Sequence, residues 1–392
     1  MSQNSSFDNT EVAFNLKTDS ELERAYFLFK MISHQPLVRI GTAATNFALK
    51  AKLPVEGLIR ATVFDHFCGG VNEEDCIPVI DKMFTKNVCS VLDYSVEGKE
   101  DEAQFDSAKD KIIKIICFAD KKEAMPIVVF KPTGFGRFAL FQKIGENQTL
   151  TLDEESEWNR VVNRFNEVCK LAKEKDIEIL IDGEESWMQD AADNLVEDMM
   201  RLYNTEKPIV YNTLQLYRWD KVAYLKDIHN RANKEGFKLG FKIVRGAYME
   251  KERERAEQKG YKSPICESKQ ATDDSFNEAL VYILNHLIDI SVFIGSHNEE
   301  SNLLAMELMA QKNISKNDNR VWFGQLYGMS DHISYNLSDL GYNVAKYVPF
   351  GPVRDVMPYL IRRAEENTSV EGQTSRELML LSKEKKRRKT QK

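Results

Sequence analysis

The sequence predicts an α/β fold, a (β/α)8 TIM-like barrel that follows an N-terminal helical extension. From about residue 88 onward, short runs rich in valine, isoleucine and phenylalanine alternate with longer charged segments. Buried parallel strands alternate with their covering helices in this way. The runs number eight, and eight such units over roughly 260–300 residues fit a closed barrel. A doubly wound open sheet is the alternative that the same pattern allows.

Most of the predicted strands are followed by a polar side chain. The eight predicted strands span residues 88–95, 127–131, 179–182, 210–215, 239–244, 291–297, 321–326 and 344–349. Because the carboxyl ends of parallel strands open on one face of a barrel, polar residues at those ends should line one cleft. The residues in this position are Lys131, Asp182, Gln215, Arg245, His297, Gln325 and Tyr347.

The two ends of the chain differ from the barrel. Residues 1–87 are predicted to form the helical extension, in which Asp19 or Ser20 caps a helix with Leu22 and Phe29 at helical spacing. The barrel is assigned to residues 88–382. Residues 383–392 read KEKKRRKTQK and are interpreted as a basic tail. That tail is either a solvated, disordered segment or a contact for an anionic membrane surface.

Composition excludes several classes of protein. The chain has 392 residues, a net charge of −7 and 42% hydrophobic residues, which allow a sizeable core and exclude an intrinsically disordered chain. No apolar run approaches the ~20 residues that cross a bilayer. The mild acidity argues against a general nucleic-acid binder. Six cysteines without a two-residue spacing indicate a reduced compartment. We expect a cytoplasmic protein, or a mitochondrial one if a presequence has been removed.

A helix late in the sequence carries candidate anion ligands. Tyr359, Arg362, Arg363 and Glu366 fall on one helical face. Two guanidinium groups suit a carboxylate, because arginine donates parallel charge-assisted hydrogen bonds. A solvated helix face with an ordinary ion pair is the alternative.

Nine motifs along the chain resemble those of one enzyme family. They are LDYSVEG (92–98), FKPTG (130–134), IDGEESWMQ (181–189), TLQLY (213–217), KIVRGAYMEKER (242–253), SHNEE (296–300), FGQLYGMSD (323–331), KYVPFGPV (346–353) and YLIRRAEEN (359–367). Over about residues 88 to 370 the chain resembles proline dehydrogenase, and it looks most like the mitochondrial, single-function branch. The resemblance implies a (β/α)8 barrel with tightly bound FAD, although no G-x-G-x-x-G motif follows a predicted strand.

The resemblance also implies residues that contact the flavin. Lysine at position 242 departs from the arginine that many bacterial members have near flavin N5. His297 has no second histidine at ligand spacing, which disfavours a metal hydrolase, and no metal is expected. The implied cofactor residues are Asp182, Gln215, Lys242, Arg245, Gly246, Ala247, Tyr248, Ser296, His297, Asn298 and Gln325.

For the substrate, the resemblance implies that three cations bind the carboxylate of L-proline: Lys131, Arg362 and Arg363. Tyr347 and Tyr359 would enclose the pyrrolidine ring. Glu366 would orient Arg362. Asp182 would hold either Lys131 or the edge of the flavin. A structural ion pair between Lys131 and Asp182 is the alternative. Lys131, Asp182, Arg362 and Arg363 are taken as the catalytic group.

The implied reaction is hydride transfer from proline to FAD, with 1-pyrroline-5-carboxylate as product and a quinone as the electron acceptor. Hydroxyproline dehydrogenase is the nearest alternative. A membrane-surface adaptor that uses the basic tail is the alternative outside enzymes. No nucleic-acid partner is expected.

Overall fold

A computed structural model describes residues 6–34, 36, 38, 41–43, 56–95, 100–369 and 373–391, with the backbone alone at 58, 61, 364–369 and 373. The eight strands are β1 (Val88–Tyr94), β2 (Ile127–Phe130), β3 (Glu178–Ile181), β4 (Val210–Gln215), β5 (Leu239–Val244), β6 (Ile290–Gly295), β7 (Val321–Leu326) and β8 (Val344–Phe350).

The strands form one sheet in the order β1-β8-β7-β6-β5-β4-β3-β2. The pairings of β1 with β8 and of β2 through β7 in sequence are parallel. The prediction of a (β/α)8 TIM-like fold is therefore confirmed. All eight predicted strands are present, and their ends shift by two residues at most. The largest shift is at β6, which ends at Gly295 because Ser296 and Asn298 already belong to the cap of the next helix.

Helices separate the strands. A π-helical turn spans Arg60–Phe64 and a 3-10 turn spans Pro132–Gly134. None of the helices among the described residues combines the length and the hydropathy that crossing a bilayer requires. The α-helices span Thr10–Ala13, Asp19–Ile32, Glu56–Ile59, Asp65–Phe67, Glu73–Phe84, Glu102–Ala119, Phe138–Gly145, Leu152–Lys175, Ser186–Tyr203, Lys221–Glu235, Met249–Lys259, Lys269–Asn285, Glu299–Gln311, Asp331–Asp339, Met357–Ser369 and Gln373–Thr390.

The chain divides into two compact units. The central unit is Gly98–Gly324, and the terminal unit is Met1–Glu97 together with Gln325–Lys392. The separate extension predicted for residues 1–87, the barrel boundary at 382 and the tail boundary at 383 stay predictions.

The central unit has an aromatic cluster beneath β2. Phe130 stacks on Phe135 with ring centroids 4.5 Å apart, and Phe165 meets Phe130 edge to face at 5.1 Å. Phe165 lies on the helix Leu152–Lys175, which begins with a capping box formed by Thr151 and Glu154. These contacts hold the end of β2, and therefore the position of Lys131, against a rigid base.

The terminal unit joins the first and last helices. The helix Asp19–Ile32 begins with a capping box from Thr18 to Glu21, so the prediction of Asp19 or Ser20 as the cap was wrong. Thr18 is the cap because its backbone is extended and its hydroxyl oxygen accepts a hydrogen bond from the main-chain N–H of Glu21 at 3.2 Å. Leu380 and Leu381 of the last helix pack against Phe14, Leu22 and Phe29.

The basic segment at the end of the chain is helical and ion-paired in place of a disordered tail. Lys385 pairs with Glu23 at 2.6 Å. Arg388 pairs with Asp19 at 3.0 Å and with the fully buried Glu384 at 2.8 Å. Sequence spacing could not show the contacts with Glu23 and Asp19, because these partners lie more than 350 positions away on the helix Asp19–Ile32.

A buried carboxylate holds the interior of the terminal unit together. Asp331 contacts Nζ of Lys346 at 2.7 Å and Nζ of Lys17 at 2.9 Å. Burial would raise the pKa of Asp331, but the two ammonium charges reverse this and lower that pKa below its ordinary value. Lys346 is completely enclosed, and its amine also donates to the carbonyl of Met329 at 2.7 Å. Asp331 therefore neutralises a lysine that has no access to water.

We expect Asp331→Leu to lower the free energy of unfolding by about 3–5 kcal/mol, because it leaves the charge of Lys346 buried and unpaired. Urea denaturation followed by circular dichroism measures the loss. Lys82→Met is the matched control, since it breaks an exposed pair with Glu21 in the same unit, and such a pair contributes at most about 1 kcal/mol. Equal losses in both variants would contradict the role assigned to Asp331.

Candidate active site

The carboxyl ends of β2 to β6 bring the predicted residues of the central unit to one edge. Lys131 follows β2 directly, Asp182 follows β3, and Gln215 is the last residue of β4. Lys242 lies within β5, and Ser296 follows β6. Because these strands are parallel neighbours, their ends face the same side.

Asp182 binds two lysines. Its Oδ2 lies 3.0 Å from Nζ of Lys131, and its Oδ1 pairs with Nζ of Lys242. Burial would raise the pKa of Asp182, but the charges and hydrogen bonds of both lysines outweigh it and lower the pKa to about 2. The three groups together carry one positive charge. The ion pair that the sequence left open as an alternative is present, and its excess charge is of the sign that attracts an anion.

Arg245 is held at the end of β5 by three polar contacts. Its Nε donates to Asp273 at 2.7 Å, Nη1 to Oγ of Ser296 at 3.0 Å, and Nη2 to Oγ of Ser301 at 3.0 Å. Ser296 also accepts from the main-chain N–H of Asn298 at 3.2 Å. The structure therefore brings Arg245, Ser296 and Asn298 together, and their contact with a cofactor stays a prediction. Three of the five guanidinium N–H groups are engaged in these contacts.

Gly246 has a conformation that L residues rarely adopt. Its φ is 126°, and a Cβ at this position would meet the ring of Tyr217 at 2.6 Å. Only glycine can therefore make this turn after β5. The turn leads to Ala247, which is exposed, and to Tyr248, which caps the helix Met249–Lys259. His297 is half-buried just after β6.

Glu184 is a site residue that the sequence analysis missed. Its carboxylate accepts from Oγ1 of Thr133 at 2.6 Å and from the main-chain N–H of Thr133 at 2.9 Å. Burial raises the pKa of Glu184 to about 7, although the bonds from Thr133 oppose the rise. Gln215 donates from Nε2 to the Glu184 carbonyl at 2.6 Å. The available signal was the position of Glu184, two residues beyond the end of a predicted strand.

The terminal unit holds the remaining predicted residues. Tyr347 lies on β8 and is 8% exposed. The guanidinium of Arg363 lies 5.2 Å from the ring centroid of Tyr359, one helical turn away, and both side chains are buried. This is a cation–π contact, which stabilises a desolvated cation.

Three further predicted residues also belong to the terminal unit. Arg362 is half-buried on the helix Met357–Ser369. Glu366 is on the same helix, but its side chain lies outside the described part of the chain. Gln325 is buried on β7 and accepts from Oγ of Ser334 at 2.8 Å. In the described part of the chain, no three histidine, cysteine, aspartate or glutamate side chains are grouped as a metal site.

Comparison with known proteins identifies the family. The family model described as proline dehydrogenase matches residues 76–376, which is more than half of the chain. The chain belongs to the proline dehydrogenase family. This match spans all eight strands and the helix that carries Arg362 and Arg363.

Two curated proteins are similar to this chain over almost its whole length. It is 35% identical over 378 residues to the carbapenem antibiotics biosynthesis protein CarD of Pectobacterium carotovorum subsp. carotovorum, covering 96% of each chain. It is 31% identical over 426 residues to proline dehydrogenase 1, mitochondrial, of Dictyostelium discoideum, covering 97% of this chain and 74% of that one.

A solved structure shares the fold. Proline utilization A from Bdellovibrio bacteriovorus, inactivated by N-propargylglycine, aligns with a TM-score of 0.71 and 21% sequence identity over 92% of this chain. The chain spans only 38% of the length of that protein. At this identity the likeness shows the fold alone.

We expect the Asp182 carboxylate to make this proline dehydrogenase family member sensitive to acid. The lowered pKa contributes stability above about pH 4, and this contribution is lost as the pH falls toward 2. Asp182→Asn should therefore reduce the free energy of unfolding at neutral pH by about 2 kcal/mol and flatten its fall between these pH values. Urea denaturation at a series of pH values measures both effects. Asp227→Asn, at an exposed position of the same unit, controls for the loss of one carboxylate. If the free energy of unfolding of Asp182→Asn fell with decreasing pH as steeply as that of the wild type, the result would contradict this role of Asp182.

Proposed function

We propose that this protein catalyses the FAD-dependent oxidation of L-proline to 1-pyrroline-5-carboxylate and passes the electrons to a quinone. The observation that carries the proposal is the pair of lysines on Asp182, at the carboxyl ends of the strands of a proline dehydrogenase family member. Such a pair supplies positive charge where ligands of parallel-strand proteins bind.

The residues of the central unit fit a flavin dinucleotide. A flavin ring presents mainly hydrogen-bond acceptors, and the pyrophosphate is anionic, so a site for both must be rich in donors. Lys242 and Lys131 supply ammonium groups, and Arg245 keeps two N–H groups beyond the three that its described partners engage. The turn at Gly246 leads to the small, exposed Ala247, where a ligand can approach the backbone closely.

The proposed cofactor contacts follow from this donor set and from the family motifs. Lys242, Arg245 and Gln215 would hold the group through charge and hydrogen bonds, with Asp182 keeping Lys242 in place. The other residues that we assign to cofactor binding are Gly246, Ala247, Tyr248, Ser296, His297, Asn298 and Gln325. FAD, when bound, supplies the acceptor for the hydride that leaves proline.

The proposed substrate contacts are assigned by the family motifs. Lys131, Arg362 and Arg363 bind the carboxylate of proline, because three donors of positive charge offset the loss of its hydration. Tyr347 and Tyr359 exclude water from the pyrrolidine ring, and Glu366 orients Arg362. Binding in one orientation lowers the entropic part of the barrier to hydride transfer.

The amine of proline must be neutral when the hydride leaves, since its lone pair assists. Positive charge on neighbouring groups disfavours an ammonium, and the Lys131–Asp182–Lys242 group has an excess of one positive charge. We infer that proline binds with its amine deprotonated. No histidine of the matched motifs is assigned as the base.

The quinone acceptor and the location are further parts of the proposal. Curated relatives from Dictyostelium discoideum and Arabidopsis thaliana are named as mitochondrial, and we propose the same compartment here, with peripheral contact to a membrane. The ion pairs of Lys385 and Arg388 reduce the basic charge that the last helix offers to lipids. Of its three exposed lysines, Lys383 donates to the main-chain carbonyl of Asp8, and Lys386 and Lys389 remain as candidate contacts.

Anaerobic titration of the purified protein tests the proposed function. The protein should be yellow, and its flavin absorbance should bleach on addition of L-proline. Hydroxyproline should bleach it less completely at the same concentration, since the buried Tyr347 leaves little room for a hydroxyl group. A colourless folded protein, or a flavin that ignores proline, would overturn the proposal. Preferential bleaching by hydroxyproline would favour hydroxyproline dehydrogenase.

We expect Arg363→Met to raise the KM for L-proline about 30-fold or more, because loss of a desolvated partner costs about 2 kcal/mol or more. Steady-state rates with a soluble dye as acceptor measure this effect. Oxidation of pyrrolidine, which has no carboxylate, should change little. Arg320→Met, at an arginine paired with Asp318 in the central unit, is the matched control.

The Lys131→Met variant completes a double-mutant cycle with Arg363→Met. If both side chains bind the same carboxylate, their effects on the KM for proline should be non-additive. Strict additivity, or an unchanged KM in either single variant, would remove that residue from the substrate site.

A further inference from the structure

Glu184 contacts both of the segments that carry Lys131 and Gln215. Its carboxylate accepts two hydrogen bonds from Thr133, at 2.6 and 2.9 Å, and Thr133 lies two residues after Lys131. Its main-chain carbonyl accepts from Nε2 of Gln215 at 2.6 Å. A Cβ on the preceding Gly183 would meet Cγ of Gln215 at 3.1 Å. One residue therefore fixes a predicted substrate ligand and a predicted cofactor ligand.

A buried polar chain fixes Glu184 itself. The main-chain N–H of Glu184 donates to Oε1 of Gln189 at 2.6 Å, and Nε2 of Gln189 donates to Oδ1 of Asp193 at 2.8 Å. The other carboxylate oxygen of Asp193 accepts from Nζ of Lys221 at 2.6 Å. Gln189, Asp193 and Lys221 are each at most 3% exposed. A satisfied polar network of this kind is rigid, so the position of Glu184 is set by the helices behind the sheet.

We propose that Glu184 is a positioning residue that holds Lys131, through Thr133, and Gln215 in the arrangement that binds L-proline. The proposal rests on the proposed function and deepens it. The ionised carboxylate accepts both Thr133 hydrogen bonds as charge-assisted bonds, whereas the protonated carboxyl makes only weaker neutral ones, with the bond to the Thr133 hydroxyl reversed. Protonation of Glu184 therefore loosens the segment that carries Lys131.

The surroundings of Glu184 determine the pH at which its carboxylate is protonated. Burial raises the pKa of Glu184 to about 7, with an added contribution from the charge of Glu185, while Thr133 and the charge of Lys131 oppose the rise. Glu185 pairs at 3.0 Å with Lys251 of the helix Met249–Lys259. Glu184 is consequently ionised above about pH 7, and the Lys131 segment is held best there.

Steady-state kinetics of the holoenzyme between about pH 5 and about pH 9 test the proposal, because the pH profile of kcat/KM reports groups of the free enzyme. In the wild type, kcat/KM calculated on the neutral-amine form of L-proline should rise about tenfold through a break near pH 7, mostly through KM. Glu184→Gln should lose the break and stay near the low-pH value, with kcat changed less than about twofold. A break near pH 7 that persists in this variant would overturn the proposal.

Thr133→Val gives a second line of test. It removes the hydroxyl donor and keeps the volume, so it should raise the KM above pH 7 and reduce the break. Combined with Glu184→Gln it should add little, because the two residues act through each other. Additive effects would overturn the proposal. If Glu184→Gln does not fold, a wild-type break near pH 7 in Thr133→Val alone would overturn it.

Glu178→Gln is the matched control. Glu178 is a carboxyl at the amino end of β3, the strand that precedes Glu184, and burial raises its pKa to about 8 although a hydrogen bond with Tyr211 opposes the rise. This variant should keep the break near pH 7. Loss of the break in the control would show that a general effect of acid groups, not Glu184, causes it. A wild type that proline does not bleach would refute the proposed function instead, so the two failures are distinguishable.

Discussion

One carboxylate that binds two ammonium groups organises the central unit. Without Asp182, two largely buried lysines would face each other with no counter-ion, at the cost of both burial and mutual repulsion. Asp182 lies between them as that counter-ion, and the group as a whole retains one positive charge. The residual charge is the property that an anionic ligand needs. The contact also connects the ends of β3 and β2 to the interior of β5, so charge and geometry are set by the same interaction.

The terminal unit uses the same arrangement for a different purpose. Asp331 also binds two lysines. One of them, Lys346, is fully enclosed, and its ammonium group donates to Asp331 and to main-chain carbonyls. Lys131, by contrast, keeps about a seventh of its side chain exposed (14%). A lysine can serve a ligand only if part of its amine remains accessible. Burial and donor use therefore distinguish the Asp331 group, which is structural, from the Asp182 group, to which we assign ligand binding.

Much of the fold could be predicted because it depends on local pattern. Each strand is mainly apolar, and the polar residue at or after its carboxyl end marks the edge of the sheet. Lys131 and Asp182 were found in this way. The contact of Glu184 with Thr133 spans 51 positions, and that of Arg388 with Asp19 spans 369. No periodicity in the sequence encodes such pairings, because they arise only when separate elements are brought together. The Thr18 cap was missed for a smaller reason, since Thr18, Asp19 and Ser20 all have side chains that can cap a helix.

The departure at Lys242 follows from the role of Asp182. Arginine presents a planar fork that would take both carboxylate oxygens, whereas lysine is a compact charge that needs only one. With lysine at position 242, Oδ2 of Asp182 is left for Lys131. One carboxylate can thus serve a residue assigned to the cofactor and a residue assigned to the substrate. Both lysines share this single counter-ion, so a change at either position reaches the other through Asp182. On the roles that we propose for Lys131 and Lys242, substrate binding and cofactor binding are therefore coupled.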